Sequence, residues 1–292
     1  MSMTDQHHEM NSTNELSALQ IIELDILREI DRICRKYDLT YFLVGGSMLG
    51  AVRHNGFIPW DDDIDIGMCR EDYDRFLWIA EKELPSPYKV HTYKNCDKHH
   101  YYFAHVVDGR YQVRRLGSND KRVEDVWVDI FPIDGFPSKP LTGLPHYIGL
   151  NFDRFMYHLA YFDQVNIGRS DRPKWQKAVL RVLNSIHGVV KPDKQYWRNR
   201  MDRGLRKYKP DESKLSFNFI GIRLLKELFP SEVFLQTADY KFEDLTVKGP
   251  KDYDTYLSGL FGSDYMTPPA ENNRLSHPME LLFDEKAVEK ND

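Results

Sequence analysis

Two short segments of this chain combine residue types that do phosphate chemistry. Leu43-Val-Gly-Gly-Ser47 is a glycine turn followed by a hydroxyl, and Trp60-Asp-Asp-Asp-Ile-Asp65 comes soon after it. A Gly-Gly turn lets backbone N–H groups approach a phosphate with no Cβ in the way. A helix starting there adds unpaired N–H donors and a partial positive charge. Ser47 stands where an N-cap is expected and can add a hydroxyl. Asp63 lies seventeen residues after Gly46, with Asp65 two positions further on. On a strand, residues i and i+2 face the same way, roughly 7 Å apart. Two carboxylates so placed repel unless a cation sits between them. Mg²⁺, or Mn²⁺ in its place, suits this pair: it takes a few carboxylates and fills its shell with water and phosphate oxygens. Ile64 and Ile66 then point the opposite way, into a core. Asp61 and Asp62 precede the strand and read as turn residues.

Metal-assisted phosphoryl or nucleotidyl transfer uses a further carboxylate, to complete the metal site or to take the proton from the attacking hydroxyl. Asp129, in Trp127-Val-Asp-Ile-Phe-Pro-Ile-Asp134, is the candidate, because Val128 and Ile130 flank it in a β-prone run. Asp134 follows Pro132 and reads as a turn cap. The catalytic and metal-ligating candidates are therefore Asp63, Asp65 and Asp129.

Several elements must position these groups. Leu16, Leu19, Ile22, Ile26, Ile30 and Ile33 recur at helical spacing and predict an amphipathic helix over 15–37. Thr40–Val44 is a short strand ended by Gly45-Gly46, and a short helix follows to His54. Asp63–Met68 reads as a strand, and Tyr73, Phe76, Leu77 and Ala80 predict a helix over 71–83. Further strands are expected at 88–93, 101–107, 111–115 and 126–131. Pro137, Pro140, Gly143 and Pro145 mark a linker. Beyond it the chain reads as mainly helical to about residue 240, then loop-rich.

Composition bounds the partners. Forty Lys and Arg against 45 Asp and Glu give −5, so no net field draws the chain to nucleic acid. Cys34, Cys69 and Cys96 show no metal-ligand spacing and, being three, suggest no disulfide framework, which points to a cytoplasmic setting. Residues 1–14 are polar, have no apolar core of a signal peptide, and read as a disordered lead. No run approaches the ~18 apolar residues that span a bilayer. A lipid-linked substrate would be met by peripheral contact, at the inner face of the membrane.

The stretch Tyr41–Met68, with its Gly-Gly-Ser turn and Trp-Asp-Asp-Asp-Ile-Asp motif, resembles the LicD family. That family lies within the DNA polymerase β-like nucleotidyltransferase fold, together with the fukutin-related sugar-phosphate transferases. The match continues through Val128–Asp134 and returns in Pro250–Leu257 and Phe261–Pro269. It implies an α+β or α/β fold: a nucleotidyltransferase-like mixed sheet flanked by helices, with a mainly helical C-terminal part. The divisions expected are a catalytic core over 15–137, a mainly helical acceptor or lid region over 138–245, and a loop-rich segment over 246–292 packing back on the core.

The resemblance also implies an enzyme, a phosphocholine transferase. Such proteins move phosphocholine from CDP-choline to a hydroxyl of a glycan or lipid-linked glycan: a teichoic acid, lipopolysaccharide or capsule precursor. By matching position, Asp63, Asp65 and Asp129 would hold Mg²⁺. Gly45, Gly46 and Ser47 would contact the donor diphosphate, and Arg53, inside the motif, is a further phosphate ligand. Relatives carry a lysine in a strand Phe-Ala-Lys-x-x-Asp; this chain has Phe103-Ala-His-Val-Val-Asp108, so His105 replaces a fixed positive charge. Choline calls for aromatic faces. Trp60, Trp127 and Tyr265 are the candidates, with Tyr101, Tyr102 and Tyr256 as further rings. The motifs do not distinguish phosphocholine from ribitol or glycerol phosphate on a CDP donor, or from a nucleotidyl group. A catalytically inactive glycan- or nucleotide-binding protein would show a broken carboxylate set, and all three acids are present here. The segment Trp197–Lys209 is basic and could meet an anionic acceptor or a membrane.

Overall fold

Alternation of aliphatic and polar residues builds the centre of a mixed sheet. The computed structural model describes residues 3–97, 99–115, 123–161, 174–221, 223–270 and 279–283. In β2 (Asp65–Cys69) and β5 (Val123–Phe136), the side chains of Ile66, Met68, Val126, Val128 and Ile130 are fully buried. Asp65, Asp129 and Phe131 alternate with them and share the opposite face. β2 runs parallel to β5 and antiparallel to β1 (Phe42–Leu43). β5 pairs antiparallel with β4 (Ala104–Arg115). The other edge of β4 carries both β3 (Tyr88–His91) and β10 (Met279–Phe283). The path across the sheet is β1-β2-β5-β4-β10.

Two boundaries differ from those the sequence suggests. The strand holding the acidic motif starts at Asp65, not Asp63, because its ladder to β5 begins where Asp65 faces Asp129. The two strands expected at 101–107 and 111–115 are one. A register shift between Asp108 and Gln112 absorbs Gly109 as a bulge instead of a break.

Helices cover this sheet. α1 (Met3–Tyr37) buries Leu19, Ile22, Ile26, Leu27, Ile30 and Ile33. It reaches back into the stretch 1–14 read as a lead, since no Gly or Pro interrupts the run from Met3; residues 1 and 2 lie outside the described residues. α3 (Arg70–Glu83) buries Tyr73, Phe76 and Ala80, as its spacing predicts.

The chain forms two units, one of Met1–Ile133 with Ser216–Asp292, the other of Asp134–Leu215. The second contains α4 (Pro140–Ala160), α5 (Lys174–Val190) and α6 (Lys194–Leu205). The prolines read as a linker belong to α4: Pro140 opens it, where a missing N–H costs nothing, and Pro145 lies near its start. The chain rejoins the first unit at Ser216, well before the residue 245 expected from composition. Between those points it is not helical throughout. β6 (Leu215–Phe217), β7 (Leu228–Pro230), α7 (Ser231–Leu235) and the hairpin of β8 (Thr237–Phe242) with β9 (Leu245–Pro250) fill it, burying Phe217, Phe229, Phe234 and Phe242. α8 (Tyr253–Phe261) follows.

Candidate active site

Register places three side chains in one row across the sheet. Asp65 on β2 faces Asp129 on β5, and Asp129 faces His105 on β4. His105 Nε2 lies 2.9 Å from Asp129 Oδ1. The His105 ring is buried and stacks on Trp127, centroids 5.3 Å apart and planes 9° from parallel. The edge of His99 meets it at 4.4 Å. Where relatives are expected to carry a lysine, this chain clamps an imidazole against the third carboxylate.

The glycine turn lies directly against the acids. α2 (Gly45–His54) begins after an extended Val44, and Gly45 has a φ of +55°. A Cβ on Gly45 would sit 3.2 Å from Asp65 Oδ2, and one on Gly46 only 2.6 Å from Asp61 Oδ2. A side chain at Gly46 would push the Asp61 carboxylate aside, and one at Gly45 would crowd Asp65 and strain the positive φ. The N-cap is Val44, not Ser47 as the sequence suggests. Ser47 is buried inside the first turn, and its Oγ accepts a hydrogen bond from the Asp65 N–H at 2.8 Å. The hydroxyl thus ties the helix start to the acidic strand. Gly45 N–H is itself spoken for, donating to the Tyr256 hydroxyl at 2.9 Å.

Asp63 reaches the site from the approach to β2. One carboxylate oxygen each of Asp61, Asp62 and Asp63 lies within 4.8 Å of the others. Asp61 and Asp62, read from sequence as turn residues, are therefore part of the acidic group. Glu23 on α1, which belongs to no motif of the sequence, joins them. It is buried and feels Asp63, Asp62, Asp129 and Asp61. Its Oε2 has no hydrogen-bond partner among the described residues. Gln20 of the same helix donates to the Asp61 carbonyl at 2.9 Å, which docks α1 onto the acidic loop. A signal for Glu23 was available: it is a carboxylate between Leu19 and Ile26 on the apolar stripe.

Burial and mutual repulsion decide the protonation of these acids. Burial first, then the charges of Asp63 and Asp62, push the Asp61 carboxyl up to about 8. Burial, and then the charge of Asp63, also raise Asp65 and Glu23 well above the usual carboxylate range; Asp129 follows for Asp65 and Asp62 for Glu23. Crowded acids with an orphaned buried oxygen fit a cation, and a set made of carboxylate oxygens is the donor chemistry of a hard divalent ion.

Arg53 Nη1 donates to the Tyr265 carbonyl at 2.9 Å, and Asp61 acts on its charge. Trp127 is buried against His105. Tyr265 is buried, its hydroxyl donating to Asp254 at 2.7 Å. Trp60 is half-buried and meets His54 edge-on at 6.4 Å. Tyr256 is fully buried, and Tyr102 is buried with its hydroxyl 3.3 Å from Arg70 Nη2. Half-buried rings instead gather beside Asp129: Phe103 lies 4.5 Å from Phe131 and 5.2 Å from Tyr101.

Known proteins resemble this chain over its site-bearing part and beyond. Residues 38–147 match the LicD/FKTN/FKRP nucleotidyltransferase domain. The chain is 27% identical over 276 residues to the lipopolysaccharide cholinephosphotransferase LicD of Haemophilus influenzae, covering 90% of this chain and 96% of that protein. It is 33% identical over 109 residues to the ribitol 5-phosphate transferase FKRP of Homo sapiens, covering 37% of this chain and 20% of that protein. An uncharacterized protein of Rickettsia prowazekii is 33% identical over 160 residues, covering 49% of this chain and 59% of that protein. The matched domain holds the row Asp65, Asp129 and His105; Glu23 and Tyr256 lie outside it.

Proposed function

The chain carries the nucleotidyltransferase domain of the LicD/FKTN/FKRP family and is a phosphotransferase, and from that premise we propose that it moves phosphocholine from CDP-choline to a hydroxyl of a cell-surface glycan precursor, releasing CMP. The observation that carries this reading is the Asp65–Asp129 pair set against the glycine turn of α2, with Asp61–Asp63 beside it. Asp63, Asp65 and Asp129 would hold Mg²⁺ or Mn²⁺, which when bound offsets the negative charge of the donor diphosphate. Gly45 and Gly46 present the first helical turn to that diphosphate, and Arg53 adds a cation behind it. Ser47 serves by fixing Asp65. In the transfer, the acceptor oxygen bonds to the phosphorus that bears choline. The bond from that phosphorus to the bridging oxygen breaks, CMP keeps the electron pair, and the acceptor proton passes to a base or to water. The protein's contribution is positioning and charge neutralisation.

Choline is recognised without hydrogen bonds, by ring faces worth ~0.5–2 kcal/mol each. Tyr101, Phe103 and Phe131, beside Asp129, are the rings we assign to it, in preference to the buried Trp127 and Tyr265. Phe131→Ala is expected to raise KM for CDP-choline roughly 2- to 30-fold with kcat little changed. An equal rise for CDP-glycerol would assign the ring to packing.

The cation has a thermal signature whose sign is fixed by the raised carboxyl values. A group whose folded pKa exceeds its unfolded value stabilises the fold below the unfolded value, and that contribution is lost as pH rises through the folded one. For Asp61 the window runs from the ordinary carboxylate range up to about 8. Metal-free protein therefore loses stability across this window, and a cation that neutralises the acids restores it. The gain in Tm from Mg²⁺ should be larger at about pH 8.5 than at about pH 6. A gain that is flat or falls with pH contradicts the assignment.

The donor is tested by offering CDP-choline, CDP-ethanolamine, CDP-glycerol, CDP-ribitol and nucleoside triphosphates with an acceptor glycan. Release of CMP from CDP-choline in preference to the others supports the reading. Release of CMP from CDP-ribitol alone, or of pyrophosphate from a triphosphate, overturns the cargo.

A further inference from the structure

The helical unit Asp134–Leu215 exposes apolar surface in a pattern a water-facing helix does not need. α4 is apolar on two sides. One side is buried through Leu150, Tyr157 and Ala160. The other carries Leu141, Leu144, Ile148, Phe152 and Phe155, exposed by 91, 61, 58, 49 and 46%. At 100° per residue these five fall within an arc of about 80°. α5 repeats the pattern with Val182, Ile186 and Val189, exposed by 60, 38 and 84%. Contiguous apolar surface of this kind on a soluble chain marks a contact.

Charge identifies what makes that contact. Residues 134–215 contain 16 Lys and Arg against 8 Asp and Glu, whereas the rest of the chain contains 24 against 37. The overall −5 thus conceals a unit at +8 in a chain whose remainder is at −13. A cation adjoins the stripe. Phe152 of α4 meets Trp197 of α6 edge-on at 5.6 Å, and Arg200 lies over the Trp197 ring, 5.3 Å from its centroid. Arg203 in α6 and Lys207 just after it are exposed. Trp197 and the half-exposed Tyr196 stand at that border, as amphipathic rings do between apolar and wet surroundings. A second copy of the chain would bring two units of +8 together and be repelled. Among the described residues no helix is long and apolar enough to cross a membrane, so these helices would lie in its plane.

We propose that the unit Asp134–Leu215 docks on an anionic lipid bilayer, seating the outer faces of α4 and α5 in the headgroup boundary and its cations on the lipid phosphates. The proposal does not depend on which group the chain transfers. It is tested by floating the full chain with vesicles of phosphatidylcholine alone and with about 30% phosphatidylglycerol, since each cation near such a surface contributes about 1 kcal/mol. The expected result is flotation with the anionic vesicles only, weakening as salt is raised. Arg203→Glu with Lys207→Glu should lower the partition coefficient at least ~25-fold, which is about 5-fold per cation lost. Leu144→Glu with Ile148→Glu should abolish flotation while CMP release with a soluble acceptor is kept. Should that variant fail to fold, Val189→Glu on the exposed face of α5 tests the docking in its place. Equal flotation on both vesicles, no flotation, or variants that float like the parent would overturn the proposal. So would a concentration-dependent dimer dispersed by Leu144→Glu with Ile148→Glu, which would make a second copy the occupant.

Discussion

Asp65→Asn is expected to lower kcat about 10³-fold while leaving the protein at least as stable as the parent when no cation is added. The two halves of this result have one cause. The Asp65 carboxylate is held among Asp63, Asp129 and Asp61, and its pKa is raised well above the ordinary range by burial and by those neighbours. An amide of the same shape removes an acid that the crowded, buried site must either keep protonated or hold against its neighbours' charge, so the fold is relieved. What ties Asp65 in place is backbone: its N–H donates to Ser47 Oγ at 2.8 Å, and its carbonyl accepts from the Val44 N–H at 3.1 Å. Both survive the substitution. The charge that would face the donor's counter-ion does not. Asp129→Asn should lose activity similarly, and it also deprives His105 of a carboxylate 2.9 Å from its Nε2. Activity and thermal melting on the same preparation check the pair; a variant that melts early would move Asp65 from the chemistry to the core.

Gly46→Ala is expected to lower kcat roughly 10- to 100-fold with Tm little changed. Within a helix, alanine is favoured over glycine by about 0.5–1 kcal/mol, so local propensity alone predicts a gain. Against it stands Asp61 Oδ2, only 2.6 Å from where the new methyl would lie. Asp61 must swing away, and the displacement is felt by Asp62 and Asp63, whose oxygens lie within 4.8 Å of its own. The cost therefore appears in the geometry of the acids, not in the helix. Gly45→Ala differs, because Gly45 also holds a φ of +55° and should lose stability as well. Full activity in Gly46→Ala would mean that Asp61 plays no part in the site.

Much of this arrangement is legible in the chain itself. Ile64, Ile66 and Met68 are fully buried as alternation requires, so the sheet face that carries Asp65 follows from the spacing. Asp129 could be singled out because Val128 and Ile130 flank it, and the parallel register then sets it opposite Asp65. The glycine turn is visible too, though its reason is not: its neighbours are carboxylates that approach within contact distance. What stayed hidden comes from far along the chain. Glu23 joins the acids because α1 packs over them, and Tyr256 supports Gly45 from 211 positions away. No local period encodes either contact. Asp61 and Asp62 misled for a different reason. Their sequence neighbours are turn formers, and only the packing of Gln20 and Gly46 around them turns a solvated loop into part of a buried acidic group. The return of the chain at Ser216 was likewise masked, because the short strands β6 to β9 are set by aromatic burial and not by a strong alternating pattern.

The central claim is that the acidic face holds a divalent cation through which a CDP-linked donor is bound. Calorimetric titration of CDP-choline into the protein tests it most directly, with Mg²⁺ present and with EDTA in its place, for the parent and for Asp65→Asn. Donor binding that requires Mg²⁺ in the parent and is lost in Asp65→Asn is the result this account predicts. Donor binding of equal strength in EDTA, or retained in Asp65→Asn, would contradict it.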